Sequence, residues 1–175
     1  MNTFAIEKWF DEGRLCSFYT VRWEDSKESE TDRFFNNHEG KEKRYNTEAY
    51  ELLRLITHSI ADIYGATDDF FDRYKNKAQA LPPKPKYRIP EIQELGIHFP
   101  LRLYCFRISE SIVVLFNGGV KDHATDQASK DLSFKFTEAQ QFAKRISEAL
   151  QDGTIVPDYN NRTLVDFQGN YEIFI

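Results

Sequence analysis

The stretch "RLYCFRISESIVVLFNGGVKD" (residues 102–122) decides the fold that we predict for this chain. Its first half alternates in polarity, so Arg102 and Tyr104 share one face of a strand. Residues 109–111 are suited to a turn, and the unbroken apolar run 112–116 is typical of a central strand that is buried on both faces. We therefore expect an antiparallel hairpin in the middle of a sheet.

The far end of this hairpin gathers glycines and basic residues. Gly118 and Gly119 follow the apolar run and permit a β-bulge or a close approach of two backbones. Lys121 and His123 come next along the chain, while Arg102 starts the neighbouring strand. We expect these three side chains to lie near one another.

Two segments show the apolar spacing of amphipathic helices. The first, residues 47–64, has a buried stripe that we expect to consist of Ala49, Leu52, Leu53, Ile56, Ile60, Ile63 and Tyr64. The second, residues 137–152, begins at Thr137, which suits an N-cap. A short helix is also expected through Phe34 and Phe35.

Two further strand regions complete the predicted fold. Residues 14–23 carry apolar groups on both faces, which indicates an interior strand. The tail, residues 162–175, is expected to form a hairpin around Gln168–Asn170, with Val165 and Phe167 facing Tyr171 or Ile173. The strands and helices do not alternate as parallel crossovers, so we predict an α+β fold with a small, mostly antiparallel sheet and two main helices packed on it.

Length and composition indicate one domain over residues 1–175. The chain has 41% hydrophobic residues, which is enough for a core. The two cysteines, Cys16 and Cys105, fit a reduced compartment. Because no apolar stretch resembles a leader or a membrane span, we expect a cytoplasmic protein without a membrane partner.

Charge is unevenly distributed along the chain. The net charge is −5, which argues against general affinity for nucleic acids. Residues 84–145 nevertheless carry 10 basic and 7 acidic side chains, an excess of three positive charges. This excess falls on the segment that contains the central hairpin.

Most catalytic motifs are absent from the sequence. There is no phosphate-cradling glycine loop and no Gly-x-Ser-x-Gly elbow. The four histidines lack metal-ligand spacing. Asp122, His123 and Asp126 could together hold a metal, but a polar loop explains them equally well. We therefore predict neither a metal nor a cofactor.

The basic residues fit the requirements of RNA cleavage. Cutting RNA through its own 2′-hydroxyl needs a base, an acid and cations around the phosphorus, and it does not require a metal. Lys121, His123 and Arg102 could meet these needs. Three basic residues before the hairpin could bind the RNA backbone, namely Lys84, Lys86 and Arg88. The structural alternative is that each is a surface charge, with Arg102 paired to an acid such as Glu110.

The segment "FPLRLYCFRISESIVVLFNGGVKDHATDQ" (99–127), followed by "FTEAQQFAKRI" (136–146), resembles the RelE/HigB-like toxins of bacterial toxin–antitoxin modules. Residues 14–152 would form the family-like core, and residues 153–175 would form a C-terminal hairpin extension.

This resemblance implies a ribosome-dependent endonuclease that cuts translated mRNA without a metal and is controlled by a partner antitoxin protein. By position, Arg102 would contact phosphate and Lys121 would follow the aliphatic strand. His123 and Tyr104 would be the candidate proton carriers.

Two alternatives stay open. The acidic balance favours a non-catalytic protein-interaction module on the same scaffold. A small-molecule enzyme, with a pocket between the long helix and the sheet, has no motif in its favour.

Overall fold

The computed structural model describes residues 2–75, 77–121 and 126–175, and it is an α+β protein. Its strands are β1 (Phe4–Phe10), β2 (Ser17–Trp23), β3 (Tyr74–Lys75), β4 (Ala78–Leu81), β5 (Leu101–Ser109), β6 (Ile112–Val120), β7 (Ile155–Asp158), β8 (Thr163–Asp166) and β9 (Ile173–Phe174). Its α-helices are α1 (Glu30–His38), α2 (Asn46–Arg54), α3 (Pro90–Gln93) and α4 (Asp126–Asp152). A π-helix over Leu55–Tyr64 continues α2, and a 3₁₀ turn covers Asp68–Phe70.

Within the described residues, seven strands form one sheet in the order β3-β4-β5-β6-β2-β1-β9. The predicted hairpin is confirmed, because β5 and β6 are antiparallel and flank the turn residues Glu110 and Ser111. The predicted interior strand is also confirmed, since β2 lies between β6 and β1. The sheet is mixed, because β2 runs parallel to β6 while the other neighbours are antiparallel.

Each face of the sheet carries its own hydrophobic core. Leu103 and Val113 face α1, α2 and the π-helix, whereas Tyr104 and Val114 face α4. This separation follows from the alternation of side chains along a strand. The two long helical segments therefore lie on opposite faces of the sheet.

The π-helix changes which side chains of the first long helix are buried. The carbonyl oxygen of Ala61 accepts hydrogen bonds from the backbone N–H groups of Leu15 and Cys16, at 2.8 and 3.0 Å. Because a π-helix has a wider turn than an α-helix, side chains drift from the predicted stripe. Ile63 is 46% exposed, so its predicted burial is wrong, while Ala61 is buried instead.

The second long helix begins earlier than predicted. It starts at Asp126, and Thr137 is an interior residue whose hydroxyl donates to the carbonyl oxygen of Ser133 at 3.1 Å. The predicted N-cap is therefore wrong. Helix α4 buries Ala139, Phe142, Ala143, Ile146 and Ala149 against the sheet.

The hairpin predicted around Gln168–Asn170 is wrong, because the C-terminal hairpin is formed by β7 and β8 instead. β8 pairs with β7 rather than with residues 171–173. The Asp166 carboxylate accepts hydrogen bonds from the N–H groups of Gln168 and Asn170, which turns the chain at this point. The chain then reaches the sheet edge, where β9 pairs with β1.

Candidate functional site

A cavity of about 360 Å³ lies between the sheet and the first half of α4. We call it the Arg102 pocket. The sheet and the loops before and after its strands contribute Asp72, Arg73, Ala78, Gln79, Ala80, Lys84, Arg102, Tyr104 and Lys121. Helix α4 contributes Ser129, Leu132, Ser133 and Phe136.

Most of the predicted site residues converge on this pocket. Arg102, Tyr104 and Lys121 line it, as does Lys84 from the predicted RNA-gripping group. His123 lies outside the described residues. Arg102 and Lys121 therefore line the same cavity.

Arg102 is a buried cation without a carboxylate partner among the described residues. It is 5% exposed, and its Nη1 donates to the carbonyl oxygens of Phe99 and Leu101 at 2.9 and 2.8 Å. The alternative ion pair with Glu110 is not formed. Burial, assisted by the neighbouring charge of Arg73, lowers the pKa of Arg102 to about 10, so it stays charged at neutral pH.

Tyr104 stands beside Arg102 on the same face of β5. Burial raises the pKa of its phenol to about 12, although the charge of Arg102 acts in the opposite direction. Tyr104 therefore stays protonated at neutral pH, where it can donate a hydrogen bond or a proton. Its ring meets the ring of Phe136 edge to face, with centroids 5.5 Å apart.

Lys121 enters the pocket directly after β6. Its backbone N–H donates to the carbonyl oxygen of Pro100 at 2.6 Å, which holds the end of β6 beside the start of β5. This bond places a lysine and an arginine from neighbouring strands at the same end of the sheet.

Sequence reasoning missed Arg73. It lies in the segment before β3, and its Nε donates to the carbonyl oxygen of Pro82 at 2.8 Å. Burial lowers its pKa, while Asp72 opposes the shift. No local pattern marks this residue, because its place in the pocket depends on contacts between distant segments.

The described lining residues carry a surplus of positive charge. Four of them are cations, namely Arg73, Lys84, Arg102 and Lys121, whereas Asp72 is the single acid. The Asp72 carboxylate already accepts the backbone N–H of Lys84 and pairs with Lys86. The part of the pocket lining that the structure describes is therefore net positive, even though the chain as a whole is acidic.

Lys86 and Arg88 lie outside the pocket lining. Lys86 forms an ion pair with Asp72, and Arg88 forms one with Asp69. Of the three residues expected to act together, Lys84 alone lines the pocket. Lys86 lies directly behind that lining, because its Nζ also donates to the carbonyl oxygen of Lys84 at 3.4 Å.

A β-bulge shapes the pocket wall. Leu103 lies opposite Gly118, while Cys105 lies opposite Leu115, so β6 has one residue more than β5 across this interval. The expected role of the glycines is confirmed, because a Cβ atom on Gly118 would meet the backbone of Arg102.

No protein-family model, curated protein or solved structure matches this chain. Among residues 2–75, 77–121 and 126–175, no group of three His, Cys, Asp or Glu side chains could hold a metal. The metal candidates Asp122 and His123 lie outside that part of the chain. In the same residues, no helix has the length and apolar character needed to cross a bilayer.

The chemistry of the pocket suits an anion. Guanidinium and ammonium groups bind phosphate through charge-assisted hydrogen bonds, and burial strengthens such bonds. A buried, unpaired arginine is costly to the folded state unless an anionic partner binds. The site is thus best described as a candidate phosphate-binding pocket.

Proposed function

We propose that this protein is a RelE/HigB-like toxin, a metal-independent endoribonuclease that cuts translated mRNA and is controlled by an antitoxin. The observation that carries the proposal is the convergence of Arg102, Lys121 and Tyr104 on one electropositive pocket. The resemblance of residues 99–146 to that family supports it independently.

The proposed reaction uses the 2′-hydroxyl of the RNA. Its oxygen attacks the adjacent phosphorus and gives up its proton to a base, for which His123 is the candidate. The bond from phosphorus to the 5′-oxygen breaks, and a 2′,3′-cyclic phosphate forms. The departing 5′-oxygen keeps the electron pair and takes a proton.

The pocket residues fit three parts of this reaction. Arg102 and Lys121 stabilise the negative charge that develops on the phosphoryl oxygens. Tyr104 supplies the proton to the departing oxygen, since its raised pKa keeps the phenol protonated at neutral pH. Lys84, at the exposed rim, attracts the RNA backbone.

Induced expression in a bacterial host tests the proposal. The wild-type chain should stop growth and cut translated messages, and Lys121→Ala should relieve both effects. Lys144→Ala is the matched control, because Lys144 is exposed on α4 and does not line the pocket. Normal growth with intact messages in a ribosome cleavage assay would contradict the proposal.

The second candidate function is a non-catalytic protein-interaction module. Three aromatic side chains near the β9 edge are well exposed, namely Phe167 at 71%, Tyr171 at 60% and Phe174 at 48%. Exposed apolar patches commonly mark protein interfaces. Under this alternative, an adjacent reading frame encodes a protein that co-purifies with the chain, and Tyr171→Ser weakens the complex while Lys121→Ala changes no nuclease readout.

A further inference from the structure

The Arg102 pocket holds more positive charge than an internal RNA phosphate would neutralise. Among its described lining residues, Arg73, Lys84 and Arg102 are cations, while Asp72, the acid among them, is already paired with Lys86. An internal phosphodiester carries one negative charge. A terminal phosphate carries about 1.5 to 2 negative charges at pH 7.

Two of the cations are arginines that are fixed before any ligand binds. Arg73 is anchored on the carbonyl oxygen of Pro82, and Arg102 is anchored on those of Phe99 and Leu101. Both arginines line the same cavity, and the positive charge of Arg73 contributes to lowering the pKa of Arg102. An anion that contacts both compensates these like charges and receives donors in fixed positions.

The apolar part of the pocket lining suits an aromatic ring. Tyr104 and Phe136 form an edge-to-face pair there, and Leu132 adds an aliphatic surface. The hydroxyl groups of Ser129 and Ser133 line the same helix face. A volume of about 360 Å³ falls in the range of about 300–1,000 Å³ that is usual for small-ligand sites.

We propose that the pocket binds a nucleotide with a terminal phosphate, held between Arg73 and Arg102, with its base against Phe136. This inference rests on the proposed assignment of the pocket as a phosphate site. It adds that a phosphomonoester binds more tightly than an internal phosphodiester. The ligand is therefore either a free nucleotide or the 3′-phosphate end of a cut RNA, which forms when water adds to the phosphorus of the 2′,3′-cyclic phosphate and the bond from phosphorus to the 2′-oxygen breaks.

Isothermal titration of the full chain tests this preference with four kinds of probe. They are nucleoside 3′-monophosphates, nucleoside 5′-monophosphates, a dinucleoside monophosphate and inorganic phosphate. We expect one of the two monophosphate types to bind at least tenfold more tightly than the last two probes. Binding should also tighten between pH 5 and pH 7.5, because the phosphate takes its second negative charge near pH 6.

Variants test which pocket residue contacts the phosphate and which contacts the base. Arg73→Gln should weaken nucleotide binding at least tenfold, and Phe136→Ala should weaken nucleotide binding but not inorganic phosphate binding. Arg54→Gln is the matched control, because Arg54 is exposed and lies outside the pocket lining. Urea unfolding of each variant establishes that it is folded.

The outcomes separate this inference from the proposed function. Equal affinity for the dinucleoside monophosphate and the monophosphates would overturn the preference for a terminal phosphate. Equal affinity for nucleotides and inorganic phosphate would overturn the base contact. If the wild-type chain cuts mRNA but binds no monophosphate, the inference fails and the proposed function stands. If the chain binds a monophosphate but cuts no mRNA, the proposed function fails and the inference stands. Tighter binding of 3′- than 5′-monophosphates identifies the cut RNA end as the ligand, and the reverse identifies a free nucleotide.

Discussion

A Cβ atom on Gly118 would lie 1.8 Å from the carbonyl oxygen of Arg102. The backbones of β5 and β6 therefore approach so closely at the pocket wall that only glycine fits. The β-bulge opposite Tyr104 ends at this point, so the contact fixes the position of Arg102 relative to β6.

Gly118→Ala should therefore lower the free energy of unfolding by about 3 kcal/mol, because the added methyl group must displace backbone rather than a flexible side chain. Urea unfolding measures this loss. Gly96→Ala is the control, since Gly96 has a φ of 83° and no atom within 4 Å of the added carbon. It should cost only about 1 kcal/mol, from backbone strain alone. A loss at Gly118 no larger than the loss at Gly96 would contradict the close contact.

Arg102→Met should remove activity without removing stability. The substitution relieves the burial of a cation that has no carboxylate partner within residues 2–75, 77–121 and 126–175 and whose pKa is lowered to about 10. Two hydrogen bonds to carbonyl oxygens are lost in exchange, at about 1 kcal/mol each. We expect the free energy of unfolding at pH 7 to stay the same or rise by about 1 kcal/mol. A loss of more than about 2 kcal/mol would show that Arg102 is mainly structural.

Because of Glu138, the free energy of unfolding should decrease as pH rises from about 4.5 to 7. Burial, followed by a hydrogen bond and repulsion from Glu30, raises its pKa to about 7, while Lys135 and Arg33 oppose the shift. The folded state thus holds a proton that the unfolded state releases, and its stabilising effect is lost as pH passes through 7. Urea unfolding at several pH values should show a loss of about 1 kcal/mol over this range.

Glu138→Gln should flatten this part of the pH profile, because an amide does not titrate. Glu148→Gln, at an exposed position on the same helix, serves as the control and should leave the profile unchanged. A wild-type profile that rises between pH 5 and 7 to the same extent in all three proteins would contradict the assignment.

Lys84 and Arg88 should differ in their effect on RNA binding. Lys84 lines the pocket, whereas the Arg88 guanidinium is already paired with Asp69. We expect Lys84→Gln to weaken binding of a short single-stranded RNA about threefold to tenfold and to reduce its salt dependence. Arg88→Gln should change the affinity less than twofold. Equal losses for the two variants would assign RNA contact to the whole 84–88 segment.

The sequence predicted the parts of the fold that depend on local patterns. Polarity alternation around Arg102 and the apolar run after Ser111 placed the central hairpin, and helical spacing placed both long helical segments. The approach of Lys121 to Arg102 also followed, because the two residues lie at the same end of neighbouring strands.

The remaining features depend on contacts between distant segments. Arg73 donates a hydrogen bond to the carbonyl oxygen of Pro82, and within the π-helix the carbonyl oxygen of Ala61 accepts the N–H groups of Leu15 and Cys16. The tail has a turn signal at Gly169, but the free edge of β1 decides where β9 pairs. Local periodicity contains no information about these partners.

The cleavage rate of Arg102→Met on translated mRNA tests the central claim most directly. If Arg102 stabilises the phosphoryl charge, the folded variant should cut a ribosome-bound message at least 100-fold more slowly than wild type, as expected for the loss of one buried charged donor. The urea measurement described above establishes that the variant is folded. A rate within threefold of wild type would show that the Arg102 pocket is not the site of RNA cleavage.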